Sequence, residues 1–151
     1  MRRRVAREIA LQSLYQLGMT EVSHEDAIAV AIHEAENDNE GEIVLSEPTV
    51  SPQYVYELVE GTLNHKETID DLLTEFLKGW KLDRLSRIDR EVLRLAAYEM
   101  LYKEDMPAKV VVNEAIELAK HFGTDESGKF VNGVLGNMIK QLDQLKLRLK
   151  S

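Results

Sequence analysis

The 151 residues contain no cysteine. That excludes disulfide scaffolds, thiol nucleophiles and cysteine-based zinc sites, and it fits a reducing cytoplasm. No apolar run approaches the roughly 20 residues that a membrane helix needs, so no transmembrane segment is expected. The opening MRRRVAREIALQSLYQL places basic side chains ahead of apolar ones, but Glu8 and Gln12 interrupt the apolar part. It reads as an amphipathic helix and not as a signal peptide. No stretch alternates with a period of two between turn residues, so no strand or hairpin is expected. There is no internal repeat, no nucleophile motif and no Rossmann glycine pattern. Gly128-Lys129-Phe130 lacks the spaced glycine and the following Ser or Thr of a P-loop. Positive charge is also scarce: the formal net charge is −8. That argues against nucleic-acid contact over the whole surface. It still permits a local basic patch, because exposed charges are screened beyond about 10 Å at moderate salt.

What is present is helical patterning. Hydrophobic residues make up 44% and charged residues 30%, enough to build a core without staples. The expectation is an all-α compact bundle of six or seven helices. It forms a single domain over 1–151, in two packed helical subdomains of roughly 1–80 and 81–151. Residues 3–18 form a first helix with Ala6, Ala10, Leu14 and Leu17 inward. Residues 23–36 suggest a second, and 37–50 (NDNEGEIVLSEPTV) an acidic surface loop. Ser51 and Pro52 open the next helix. Residues 66–77 continue it, with Gly61 and Asn64 as weak points, and Gly79-Trp80 closes the segment. Asp70 and Asp71 are expected to be solvated. Residues 87–103 are apolar around most of the circumference, which suits a central helix.

The chain is organised around residues 107–135, PAKVVVNEAIELAKHFGTDESGKFVNGVL. Pro107 suits a helix start. Val111, Ala115, Leu118 and Phe122 form one apolar face. Gly123 fits a left-handed stop. A last helix is expected from about Lys129 to Leu147. The corner between the two helices offers Ser127, Gly128 and Lys129 as an anion site on backbone N–H groups. Phe130 and Asn132 beside it could stack on or hydrogen-bond a base. Singly, each of these residues is better read as part of a tight helix–helix corner.

Two further constellations bear on function. At 100° per residue Arg4, Arg7, Leu11 and Tyr15 fall near one line of the first helix. Guanidinium groups fork onto phosphates and aromatic rings stack on unpaired bases, so this stripe suits single-stranded RNA. A solvated terminus over core residues is the plainer reading. Asp89, Arg90, Arg94 and Glu99 are polar sites on the apolar helix, either internal ion pairs or a strip offered to a partner. A metal site is not expected. Glu21 and His24 have the Glu-x-x-His spacing of di-iron bundles without a second such pair, and Glu117 with His121 lacks a third ligand.

Taken together, four segments are similar to the transcription antitermination factor NusB family. They are ARExALQxLY at 6–15, VLRLAAYEM at 92–100, P-x-K-V-x-V-N-E-A-I-E-L-A-K-x-F-G at 107–123 and S-x-K-F-V-N-G-V-L at 127–135. The match covers most of the chain except 19–50 and the tail after Gln141. The resemblance implies an all-α fold, no enzymatic activity and no cofactor. It implies binding of boxA-type RNA together with the ribosomal small-subunit protein NusE, within the RNA polymerase antitermination complex of ribosomal RNA operons. Carried over by position, the RNA-binding residues are Arg3, Arg4, Arg7, Tyr15, Lys129, Phe130 and Asn132. Asp89, with Arg90, falls in the partner-binding helix. The acidic residue ahead of the corner serine is Glu126, where some members carry Asp. Some relatives self-associate, so a homodimer is a further implied state. The competing class is a helical protein-interaction module without direct RNA contact, such as a stand-alone relative of the RNA-recognition domain of RNA methyltransferases.

Overall fold

A computed structural model describes residues 2–17, 52–103 and 105–150. The helix expected over 23–36 and the acidic loop over 37–50 lie outside the described residues. So do Ser51 and the side chains of Arg2 and Arg3. The described residues hold seven α-helices, one 3-10 turn and no strand. None of these helices is long and apolar enough to cross a membrane. The chain divides into two compact units, Met1–Leu63 and Asn64–Ser151.

In the first unit, α1 spans Arg2–Leu17 and α2 spans Pro52–Asn64. Helix α1 departs from the amphipathic expectation. Every residue from Val5 to Leu11 is buried, Arg7 and Glu8 included. Neither of those charges is without a partner. The apolar spacing identified one buried stripe but could not show that the charged positions beside it also turn inward. Buried hydroxyls are satisfied locally. Ser13 Oγ donates to Ile9 O at 2.9 Å and Thr62 Oγ1 to Leu58 O at 2.7 Å, the back-bond one turn earlier that lets a hydroxyl sit inside a helix. Val55, Leu58 and Val59 form the fully buried face of α2.

The second unit opens at a helix break. Helix α2 ends at Asn64, and α3 runs over Lys66–Phe76, so Gly61 stays helical and Asn64 marks the interruption. Ile69, Leu72, Leu73 and Phe76 are buried on one face of α3. His65 stacks on Tyr102 with ring centroids 3.9 Å apart. The end of α3 needs glycine. Gly79 has φ +89, a left-handed value that a Cβ disfavours, and Trp80 N donates to Leu77 O at 2.7 Å across the turn. A 3-10 turn over Leu82–Arg84 follows.

Helix α4, Arg87–Tyr102, is the central element. Ser86 caps it by accepting from Asp89 N at 3.2 Å. Ten of its residues are buried, from Glu91 to Leu101 apart from Arg94. It packs against α3, α5 (Ala108–Phe122), α6 (Asp125–Lys140) and α7 (Leu142–Lys150). Arg94 joins α4 to α3: Nε and one terminal nitrogen grip both oxygens of Asp70 at 2.8 Å, and the other reaches Glu91 Oε2 at 2.9 Å. Asp70 is therefore not merely solvated as expected; it anchors a two-pronged ion pair. Burial works against the Arg94 charge, but the Asp70 hydrogen bonds and the Glu91 carboxylate outweigh it and raise the guanidinium pKa above its ordinary value.

The last helical segment also differs from expectation. It begins at Asp125 instead of Lys129 and breaks at Gln141, giving α6 and α7 in place of one helix. Thr124 and Ser127 form a reciprocal cap: Thr124 Oγ1 accepts from Ser127 N at 3.1 Å, and Ser127 Oγ accepts from Thr124 N at 3.3 Å. A serine in place of the usual Glu or Gln concealed this capping box in the sequence.

Candidate nucleic-acid interface

The corner between α5 and α6 is tighter than a glycine stop requires. Gly123 does close α5, but at φ −118 and not in the left-handed region. Its lack of a side chain matters for space. A Cβ there would lie 2.7 Å from Ala119 O and 2.7 Å from Ser127 Oγ. Gly128 lets α6 approach α5 in the same way, since a Cβ would meet Lys120 Cγ at 2.5 Å. These contacts change the expected anion site. Ser127 and Gly128 are buried, and their N–H groups already donate to Thr124, at 3.1 Å to Oγ1 and 3.2 Å to the carbonyl. Asp125 and Glu126 occupy the first turn, where carboxylates favour the helix dipole and oppose an incoming anion. The backbone of this corner is a structural cap.

Beyond the cap the side chains face outward. Lys129 and Asn132 are exposed and Phe130 is half-buried. Lys129 Nζ lies 3.5 Å from Glu126 Oε1, an exposed pair that solvent screens heavily. Phe130 meets Trp80 edge to face, with ring centroids 6.2 Å apart. These two rings line a groove of about 610 Å³, together with Arg84, Ser86, Asp89 and Thr124. Trp80 is 61% exposed, an unusual state for the chain's one tryptophan. Asp89 Oδ1 is buried and has no hydrogen-bond partner. Arg90 is half-buried and its Nε contacts Glu91 Oε2 at 3.4 Å.

The N-terminal residues of the first unit are distributed differently from the expected stripe. Arg4 is exposed and Tyr15 is half-buried. Arg7 is 2% exposed and Leu11 1%. Arg3 lies in α1, and its side chain is outside the described part. The line of four residues therefore runs from the surface into the interior, and in this conformation Arg7 shows no surface to a ligand.

The family model described as the NusB family matches residues 4–140. The chain belongs to the NusB family. A transcription antitermination protein NusB from Bacillus subtilis (strain 168) is 44% identical over 144 residues, spanning 95% of this chain and 99% of the relative. A solved NusB structure from T. maritima is 34% identical, covers 93% of this chain and 92% of that one, and has a TM-score of 0.75. A solved structure of the antitermination factors NusB and NusE in complex with double-stranded RNA matches with a TM-score of 0.77 at 25% identity. It covers 91% of this chain and 96% of that one. The NusB fold assigned from sequence motifs is thus the fold of this chain.

Sequence reasoning missed Trp80, Arg84 and Thr124 as neighbours of the corner. In the sequence Gly79-Trp80 reads only as a segment end. The available signal was a tryptophan directly after a turn glycine and outside every helical stripe, a position where an aromatic ring has no core to enter.

Proposed function

We propose that this protein is a transcription antitermination factor. It binds boxA-type single-stranded RNA together with the ribosomal protein NusE and acts with RNA polymerase in ribosomal RNA operon transcription. It works in the cytoplasm as a binding adaptor and not as an enzyme. The observation that carries the reading is the first two turns of α6, where exposed Lys129 and Asn132 flank Phe130 on a rigidly capped helix. A cation for phosphate, an amide for a base edge and a ring for stacking are the parts that single-stranded RNA recognition needs. Family membership and the solved NusB–NusE–RNA relative support the same assignment. Arg3, Arg4 and Tyr15 are proposed as RNA contacts of the first unit. Arg7, buried in this conformation, is proposed as a further RNA contact that needs α1 to expose it. Asp89 and Arg90 are the proposed NusE contacts.

The test is binding of a short boxA-type RNA with and without NusE across a salt series. Tight binding is expected only with NusE, and log affinity should fall linearly with log salt. Lys129→Ala should lower affinity and reduce the slope by about 0.7, one phosphate contact on a single strand. Salt-independent binding would rule out the phosphate contacts, and equal affinity without NusE would remove the joint site.

A further inference from the structure

Two of the glycines on α6 have no task in the packing. Gly123 and Gly128 make room for the corner, but a Cβ on Gly133 would meet no heavy atom within 4 Å, and one on Gly136 would meet only Asn132 Oδ1, at 3.8 Å. Both lie inside a helix of 16 residues, where glycine is less favourable than alanine because its backbone loses more freedom on folding. At 100° per residue Lys129, Gly133, Gly136 and Lys140 share a sector of about 60°, with Asn132 on one edge and Asn137 on the other. Lys129, Asn132, Gly133 and Lys140 are exposed, and Gly136 and Asn137 are half-buried. Neither amide makes a side-chain hydrogen bond among the described residues, and Lys140 makes no ion pair there. The acidic groups of this helix, Asp125 and Glu126, are confined to its first turn, the second already beside Lys129.

We infer that this strip of α6 is a track for the sugar–phosphate backbone of the bound RNA, which passes over Gly133 and Gly136 between phosphate contacts to Lys129 and Lys140. The inference rests on the RNA-binding reading. It starts from the contacts proposed there, Lys129 and Asn132, and carries the strand about 16 Å along the helix to its last residue. Glycine is the residue that lets another backbone come close. Since the core side of α6 does not need these two glycines, the room they leave is on the outer side. The flanking amides suit the same ligand: a ribose 2′-hydroxyl both donates and accepts, and so does the side chain of Asn132 or Asn137. The competing occupant is a helix of a protein partner. It would need apolar side chains around the glycines to bury, and the strip offers lysine and asparagine instead.

The test joins both glycines in one variant, Gly133→Ala with Gly136→Ala, whose methyl groups the fold accepts without a clash. Its melting temperature should equal or exceed that of wild type, because alanine favours the helix. Its complex with NusE should bind boxA-type RNA about fivefold more weakly, with NusE affinity unchanged. In parallel, Lys140→Gln should reduce the slope of log affinity against log salt by about 0.7, one phosphate contact on a single strand. Wild-type RNA affinity in the alanine variant would overturn the inference, and so would a full slope in Lys140→Gln; a reduced slope in Lys129→Ala would then leave the RNA reading intact. A lower melting temperature in the alanine variant would assign the glycines to the fold and overturn it. A loss of NusE affinity there would give the strip to the protein partner and overturn it as well. Failure of the wild-type complex to bind RNA would overturn both the inference and the reading beneath it.

Discussion

The ion pair between α3 and α4 makes a quantitative prediction. Arg94 is gripped through both Asp70 oxygens at 2.8 Å and through Glu91 at 2.9 Å, with side-chain exposures of 12% for Arg94, 23% for Asp70 and 6% for Glu91. Breaking a fully buried pair by deleting one partner costs about 3–5 kcal/mol, because the survivor keeps a desolvated charge. An exposed pair contributes about 0–1 kcal/mol. The Arg94 cluster lies nearer the buried limit, and removing the guanidinium takes the cation from Asp70 and leaves Glu91 only its longer contact with Arg90. Arg94→Met should therefore destabilise by about 2–3 kcal/mol, keeping the alkyl packing while removing the charge. For a chain of this size that is a fall of roughly 5–10 °C in melting temperature. Arg94→Lys should recover only part of the loss, since an ammonium cannot bridge both Asp70 oxygens. Circular dichroism melts and a double-mutant cycle with Asp70→Asn provide the measurement. A coupling of at least about 1 kcal/mol is expected. A loss below about 0.5 kcal/mol for Arg94→Met, or a coupling near zero, would refute the view that this pair ties the two helices together.

Three other outcomes follow from particular contacts. Gly123→Ala should destabilise by about 1–3 kcal/mol, because the new Cβ meets the Ala119 carbonyl on the rigid backbone; a melt unchanged from wild type would show that the corner relaxes. Glu75 pairs with Arg148 through two hydrogen bonds of 3.0 and 2.8 Å, which hold its carboxyl pKa below the ordinary 4.5. A carboxyl lowered in the folded state contributes stability above its unfolded pKa and loses it as pH falls through the folded value. Wild type should therefore lose slightly more stability than Glu75→Gln on acidification below about pH 4.5, and parallel acid limbs would remove the pair from the account. Arg7→Ala should lower the melting temperature, as expected for a charge that is 2% exposed and not without partners. Unchanged stability with weakened RNA binding would mean that Arg7 leaves the interior to reach the ligand.

Much of the helical layout was legible in the sequence because burial repeats with the helical period. Ile69, Leu72, Leu73 and Phe76 on α3 and Val111, Ala115 and Leu118 on α5 are buried as the spacing predicts. The all-round apolar character of 92–101 identified the central helix for the same reason. Three features did not follow from periodicity. The start of α6 depends on a reciprocal Thr124–Ser127 cap whose residues do not match the common signature. Arg7 and Asp70 look like surface charges in sequence, and only the fold supplies the environment that draws them in. The groove is built from a turn after α3, the start of α4 and the α5–α6 corner, and no local pattern connects residues 80, 89 and 130. Phe130 and Asp89, which the family motifs single out, line this groove together, because fixed spacing over a long stretch encodes spatial neighbours.

The net charge of −8 poses a problem for an RNA-binding chain, and the ion pairs offer a physical answer. Several carboxylates are already matched by cations within the second unit: Asp70 and Glu91 by Arg94, Glu75 by Arg148, Glu117 by Lys120 and Glu126 by Lys129. A matched pair projects little field beyond a Debye length. What an approaching strand meets at this unit is then set locally, by exposed cations outside those pairs such as Arg84, and not by the total. Such a surface attracts a strand that reaches those few cations and repels one that lies across the rest of the molecule. This gives a narrow, short footprint with few phosphate contacts. Affinity from so few contacts is modest, which is a physical reason for a second protein to share the RNA.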